Sequence, residues 1–187
     1  GLQGLSWGPA AQGAPSYDQA KMNMRIILAS RDPVACDAIQ SCIVGVDPEQ
    51  VPYLRDLSKD GFGTIDTSRI AVVGNARVDE VKKRFPLPDG LLGRIVSSGP
   101  RKTIYEDFSA IRLEIEETSL VNNDLSARLN VDPRTTKLEL QIDEQPVTTF
   151  RQSFDQIHYK HSAELSPGEH TVTFLAYDRY LNYGQQS

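Results

Sequence analysis

Met24-Arg25-Ile26-Ile27-Leu28-Ala29-Ser30-Arg31-Asp32-Pro33-Val34-Ala35-Cys36-Asp37-Ala38 reads as strand, tight turn, helix. Ile26, Ile27 and Leu28 are apolar without alternation, the pattern of a strand covered on both faces. Ser30 and Arg31 break the run. Asp32 then suits a helix N-cap, where its carboxylate accepts a free backbone N–H, an arrangement worth about 1 kcal/mol. Pro33 suits the first helical position, since the N–H it lacks would have had no helical partner. The spacing predicts a helix to about Val44, stopped by Gly45. Its buried stripe is Val34, Ala35, Ala38, Ile39, Cys42 and Ile43, with Asp37, Gln40 and Ser41 on the other side.

Two roles are open to Asp32 and Asp37. One is a helix cap and a solvated helix acid. The other is a polar cluster at the C-terminal edge of a strand, where open α/β sheets bind ligands. Five residues of separation put the two carboxylates on different helix faces, so they do not form an obvious acid–base pair. Gly8 and Gly13, in a Gly/Pro-rich stretch, suit either a connecting loop or a loop offering backbone N–H groups to an anion. Trp7 reads as a packing anchor.

Further along, Asp47-Pro48-Glu49 repeats the cap-and-proline start, and the expected helix passes through Val51, Tyr53, Leu54 and Leu57 to Gly61. Gly61-Phe62-Gly63 reads as a turn. Ile70 to Val73 is a second all-apolar strand, and Asp79 to Arg84 a short helix stopped by Pro86. Strand, helix, helix, strand, helix is part of a parallel, helix-covered sheet. Two strands make a thin core, so further sheet strands are expected before Gly1 and the chain reads as a fragment.

The rhythm changes near residue 110. Residues 1–100 read as an α/β domain, with 86–109 a linker-like arm, and 110–187 as an all-β antiparallel immunoglobulin-like sandwich. Ile111, Leu113 and Ile115 alternate with Arg112, Glu114 and Glu116. Leu125 to Val131, Leu138 to Ile142, Ile157 to Leu165 and Val172 to Ala176 repeat the period of two. Asn122-Asn123-Asp124, Asp132-Pro133, Asp143-Glu144-Gln145-Pro146 and Ser166-Pro167-Gly168 supply the turns.

Composition narrows the function. Of 187 residues, 20 are Lys or Arg and 25 are Asp or Glu, a net charge of −5. Residues 1–110 hold 13 basic and 13 acidic side chains; residues 111–187 hold 7 and 12 and carry the whole excess. An acidic β domain argues against a nucleic-acid partner. No apolar run is long enough to span a bilayer. Cys36 and Cys42 would lie about 9 Å apart along a helix, too far for a bridge, and read as core thiols. His158 and His161, three apart on a strand, point to opposite faces, so no metal site is expected. Asp178 to Asn182 reads as the polar end of a hairpin in preference to a calcium loop. No Ser-His-Asp set is present, and any catalysis in the α/β part would use carboxylates, tyrosine or lysine.

Gly8-Pro9, Gly13, Ile26 to Ala29, Asp32-Pro33-Val34-Ala35-Cys36-Asp37-Ala38, Gly45, Gly61-Phe62-Gly63 and Ile70 to Gly74 together resemble the C-terminal part of the domain of unknown function 362 family. The resemblance covers about residues 1–88. Members are often described as iron–sulfur-centre proteins, some with twin-arginine export signals. The cluster cysteines are absent here, so the resemblance implies no cofactor within this chain and leaves an iron–sulfur cluster to another part of a full-length protein. It implies a functional role for Asp32 or Asp37. Leu165-Ser166-Pro167-Gly168-Glu169-His170-Thr171-Val172, with Ala176-Tyr177-Asp178 and Asn182, resembles the last strands of bacterial immunoglobulin-like or fibronectin type III-like modules. Such modules imply an extracytoplasmic location, in the periplasm or cell envelope.

Two functions follow as expectations. In one, an exported two-domain protein uses its α/β lobe to help form a small-ligand or redox-linked site, with Asp32, Asp37, Gly8 and Gly13 as ligand contacts. In the other, a non-enzymatic envelope protein binds a protein or glycan partner, or acts as a spacer, through its β-sandwich.

Overall fold

The structure, a computed structural model, describes residues 22–83, 85, 110–162 and 165–187. The chain divides into two compact units, Gly1–Phe108 and Ser109–Ser187. Gly8, Gly13, Trp7, the arm at 86–109 and Ala163 lie outside the described residues.

In the first unit, helix α1 spans Pro33–Val44. Asp32 is its N-cap, Pro33 opens it, and Gly45 ends it at φ 84°, a left-handed conformation that costs glycine no Cβ clash. The six expected stripe residues are its buried residues. They are covered by α2 (Pro52–Lys59), α3 (Val78–Val81) and two 3-10 turns, Pro48–Gln50 and Thr67–Arg69.

The expected parallel sheet is absent among the described residues. Met24 to Ala29 is irregular, with Asn23 and Arg25 at positive φ (46° and 53°) interrupting any extended run. Ile27 is 87% exposed. Ile70 to Val73 is irregular too, and Val73 is 90% exposed. The reason is general: an apolar run becomes a strand only when a neighbouring backbone completes its ladder. The stripe of α1 finds helices and turns to cover it instead.

The helix expected from Asp47 to Gly61 is two elements. Pro52 offers no N–H, and a residue before proline is pushed out of the helical region. Val51 accordingly sits at φ −88°, ψ 109°, between the Pro48–Gln50 turn and α2, which Pro52 opens. Only Leu54 of α2 is fully buried; Tyr53 and Leu57 are exposed. The last helix is shorter and starts earlier than expected, at Val78, where the Glu80 carboxylate accepts the Arg77 N–H at 2.9 Å.

The second unit is a sandwich of two antiparallel sheets. Its strands are β1 (Leu113–Val121), β2 (Asp124–Val131), β3 (Thr135–Ile142), β4 (Gln145–Phe150), β5 (Gln156–Lys160), β6 (Val172–Asp178) and β7 (Tyr183–Gln186). One sheet runs β1-β2-β5 and the other β4-β3-β6-β7. Two hairpins turn on two residues each, Asn122-Asn123 (φ 51° and 67°) and Asp143-Glu144 (φ 51° and 63°). Left-handed pairs of this kind match the twist of the flanking strands. Burial alternates in β2, whereas in β6 Thr173, Phe174, Leu175 and Ala176 are all buried. Leu113, Leu125, Ala127, Leu129 and Ile157 from one sheet meet Leu138, Leu140, Phe174 and Ala176 from the other in a single core.

β4 and β7 do not show the period of two clearly enough to be singled out in the sequence. β4 carries Pro146 on an edge strand, and a register shift at Leu140/Gln141 accommodates it. β7 carries Gly184, where a Cβ would overlap the Ile111 carbonyl. The expected row from Ile157 to Leu165 stops early, because β5 ends at Lys160.

Candidate functional site

Asp32 has both carboxylate oxygens on backbone. Oδ1 accepts the Ala35 N–H at 2.9 Å, and Oδ2 accepts the Thr64 N–H at 3.0 Å. The first bond caps α1; the second ties the start of α1 to the loop after α2. Gly63 makes this approach possible, since a methyl there would overlap the Asp32 carboxylate and Val34.

Asp37 lies on a different face, as its spacing requires. Its Oδ2 accepts the Tyr53 hydroxyl at 3.3 Å. Partial burial, then the adjacent Asp37 charge, push the Tyr53 phenol above its ordinary value. The neutral phenol donates and the Asp37 carboxylate accepts. The structure therefore keeps Asp32 and Asp37 in separate small networks; Gly8 and Gly13 lie outside the described residues.

Cys36 is half-buried and Cys42 is fully buried. His158 is exposed on β5, while His161, just past the strand, has its ring centroid 6.2 Å from that of Tyr159. Among the described residues no group of three or more His, Cys, Asp or Glu side chains is placed to hold a metal ion. In the Asp178–Asn182 segment, Asp178 Oδ1 accepts the Tyr180 and Asn182 N–H groups, and Oδ2 accepts the Asn182 side-chain amide. Asp178 and Asn182 are buried, so this is a buried polar corner.

A concavity lies in the β unit. A groove of about 850 Å³ runs between the second half of β1 and the segment leading into β6. Thr118 and Ser119 of β1, with Asn122 and Asn123 of the first hairpin turn, form one side. Ser166, His170 and Thr171 form another, and Gln186 and Ser187 close one end. Ile115, Leu120, Leu165, Pro167 and Val172 add apolar wall. Among the described residues, no Lys, Arg, Asp or Glu lines it.

Several groove residues are fixed from behind. Gln186 Oε1 accepts the Ile115 N–H at 2.6 Å, and the Asn123 carbonyl accepts the His161 N–H at 2.8 Å. Asp143, in the β3–β4 turn, exchanges two bonds with Thr171: its N–H donates to the Thr171 carbonyl, and its Oδ1 accepts the Thr171 N–H, both at 2.9 Å. His170 stands beside them. Its Nδ1 is 2.7 Å from Asp143 Oδ2, and its Nε2 is 2.8 Å from the Ser166 carbonyl oxygen.

That geometry sets the electrostatics. The hydrogen bond to Asp143, then that to Ser166, raises the His170 imidazole above its ordinary value. The bond from His170, then that from Thr171, lowers the Asp143 carboxyl. Elsewhere in the unit, the Arg134 side chain and backbone N–H hold the Asp132 carboxyl far below the usual carboxylate range.

The groove and His170 are what sequence reasoning did not assign. The Ser166-Pro167-Gly168 turn is visible in the sequence, and so is the Asp143-Glu144 turn. Their meeting is not, because it depends on β3 and β6 pairing in register, Ile142 against Val172.

No family model matches the sequence, and no curated protein matches it. Among solved structures, the chain is similar to the Clostridium perfringens spore cortex lytic enzyme SleM, at 13% identity over 42% of this chain and 26% of that one, TM-score 0.34. It is also similar to the ZmpB metallopeptidase of Clostridium perfringens, at 18% identity over 53% of this chain and 19% of that one, TM-score 0.30. A third is the M60 catalytic domain of Clostridium perfringens ZmpC in complex with the sialyl T antigen, at 13% identity over 73% of this chain and 27% of that one, TM-score 0.32. The chain thus spans between 19% and 27% of these structures, and likeness at this level fixes neither fold nor activity. No helix among the described residues is long and apolar enough to cross a membrane.

Proposed function

We propose that the chain acts as a non-enzymatic binding module of the bacterial cell envelope, holding a neutral glycan in the groove of its β unit. The observation that carries this reading is the groove's lining: hydroxyl and amide side chains beside aliphatic wall, with no carboxylate, lysine or arginine among the described residues. A phosphate-bearing ligand would meet no lysine or arginine among the described lining residues, and the one imidazole there, His170, is already engaged by Asp143. A glycan offers many neutral donors and acceptors on an otherwise apolar ring, and that mixture suits such a surface. The division into three and four strands, with the fourth paired to the third, supports reading the unit as fibronectin type III-like.

The alternative, a small-ligand or redox-linked site in the first unit, has less to work with. Asp32 spends both oxygens on backbone N–H groups, and Asp37 is left with a single phenol.

A glycan array probed with the full chain tests the proposal. Binding is expected, and Ser119→Trp, which fills the groove from an exposed position on β1, is expected to abolish it while leaving the melting temperature unchanged. A blank array, or binding untouched by Ser119→Trp, would overturn the groove as the site.

A further inference from the structure

We infer that protonated His170 is a latch on one wall of this groove, holding the Ser166–Glu169 tip against the β3–β4 turn. The inference rests on the reading of the groove as the binding site and adds its regulation.

The geometry requires a particular charge state. Nδ1 faces the Asp143 carboxylate and Nε2 faces the Ser166 carbonyl, and neither of those groups can donate. Both ring nitrogens must therefore carry protons, so the ring is an imidazolium. The His170 side chain is 11% exposed and that of Asp143 50%.

Loss of one proton breaks the arrangement asymmetrically. The remaining N–H stays with the carboxylate, the stronger acceptor. Nε2 then presents a lone pair to the Ser166 carbonyl at 2.8 Å, and two acceptors repel. The two bonds between Asp143 and Thr171 do not involve the ring, so Thr171 stays in place. What is released is the tip, whose Ser166, Pro167 and Gly168 form part of the groove wall. The latched groove thus belongs below the His170 midpoint, and the loosened one above it.

The charged surroundings are simple. Asp143 is the charge acting on the ring from the β3–β4 turn. The groove-lining side chains of β1, the first hairpin turn and β7 carry none. Glu144 and Glu169 flank Asp143 and His170 in the chain and are exposed. Glu164 lies outside the described residues.

The test is an NMR pH titration of the full chain, following the His170 ring together with the Ser166, Gly168 and Ser119 amides. The ring is expected to titrate above 6.5, its ordinary value, and all three amides to move with the same midpoint. Asp143→Asn is expected to lower that midpoint, since the bond to Asp143 is the first cause that raises it. His170→Gln keeps a neutral side chain at the site and is expected to remove the pH dependence of the Ser166 and Gly168 amides. A ring midpoint at or below 6.5, or amides that titrate unchanged in His170→Gln, would overturn the latch. No glycan enters this experiment, so a blank array leaves the latch standing, and a flat titration leaves an array result standing.

Discussion

In the β unit an apolar side chain's place in the sequence decides whether it is buried; in the first unit, outside α1, it does not. Leu138 and Leu140 are fully buried, while Ile27 and Val73, in runs at least as apolar, are almost fully exposed. The difference is one of partners. Each strand of the sandwich has a neighbour in register and a facing sheet, so the inward row closes on itself. The runs at Ile26 to Leu28 and Ile70 to Val73 belong to no ladder among the described residues. Apolarity supplies a driving force for burial, and topology determines whether that force is satisfied.

The sharpest way to break the comparison is at Phe174, which is fully buried between the two sheets. Phe174→Ala is expected to cost about 3–5 kcal/mol, from lost transfer energy and the cavity left behind. Denaturant unfolding read through the amides of β3 and β6 measures it. A loss below about 1 kcal/mol would mean that the sandwich core is not closed in the way its register implies.

A smaller effect is expected at Asp32. Asp32→Ala removes the cap of α1 and the bond to Thr64, at a cost of about 1–2 kcal/mol. Faster hydrogen exchange at the Ala35 and Thr64 amides would locate the damage. Asp37→Asn, which changes one exposed bond to Tyr53, serves as the control and is expected to leave both amides as they were. Equal losses from the two substitutions would place Asp37 in the same network as Asp32, contrary to the distances seen.

How much of this was legible beforehand follows the same division. α1 is written out locally: cap, proline, six-residue stripe and terminal glycine all lie within fourteen residues, and each acts on its neighbours. The alternating rows of β1, β2 and β3 are local as well. Pro52 was legible in principle, because its effect on Val51 is a nearest-neighbour one, but the apolar spacing around it suggested one continuous helix. A sheet in the first unit was not decidable locally, since a short apolar run reads the same with or without a partner strand. The groove was least legible. His170, Asp143 and Ser166 come from two turns 27 residues apart, and only the pairing of β3 with β6 brings them together.

The smallest effect is the one that bears most directly on the comparison. Ile27→Ser and Val73→Ser replace large apolar side chains that are already in water, so no cavity opens and no packing is lost. Each is expected to change stability by no more than about 0.5 kcal/mol, within the ordinary range for surface substitutions. The same chemistry at Leu140, in the sandwich core, would cost several times more, on the order of 2–5 kcal/mol for loss of a buried leucine side chain. Measuring all three by denaturant unfolding on one full-length background puts the two regions on a common scale. If Ile27→Ser or Val73→Ser cost as much as the Leu140 change, these runs would be buried in solution, and apolarity would be deciding burial in both units.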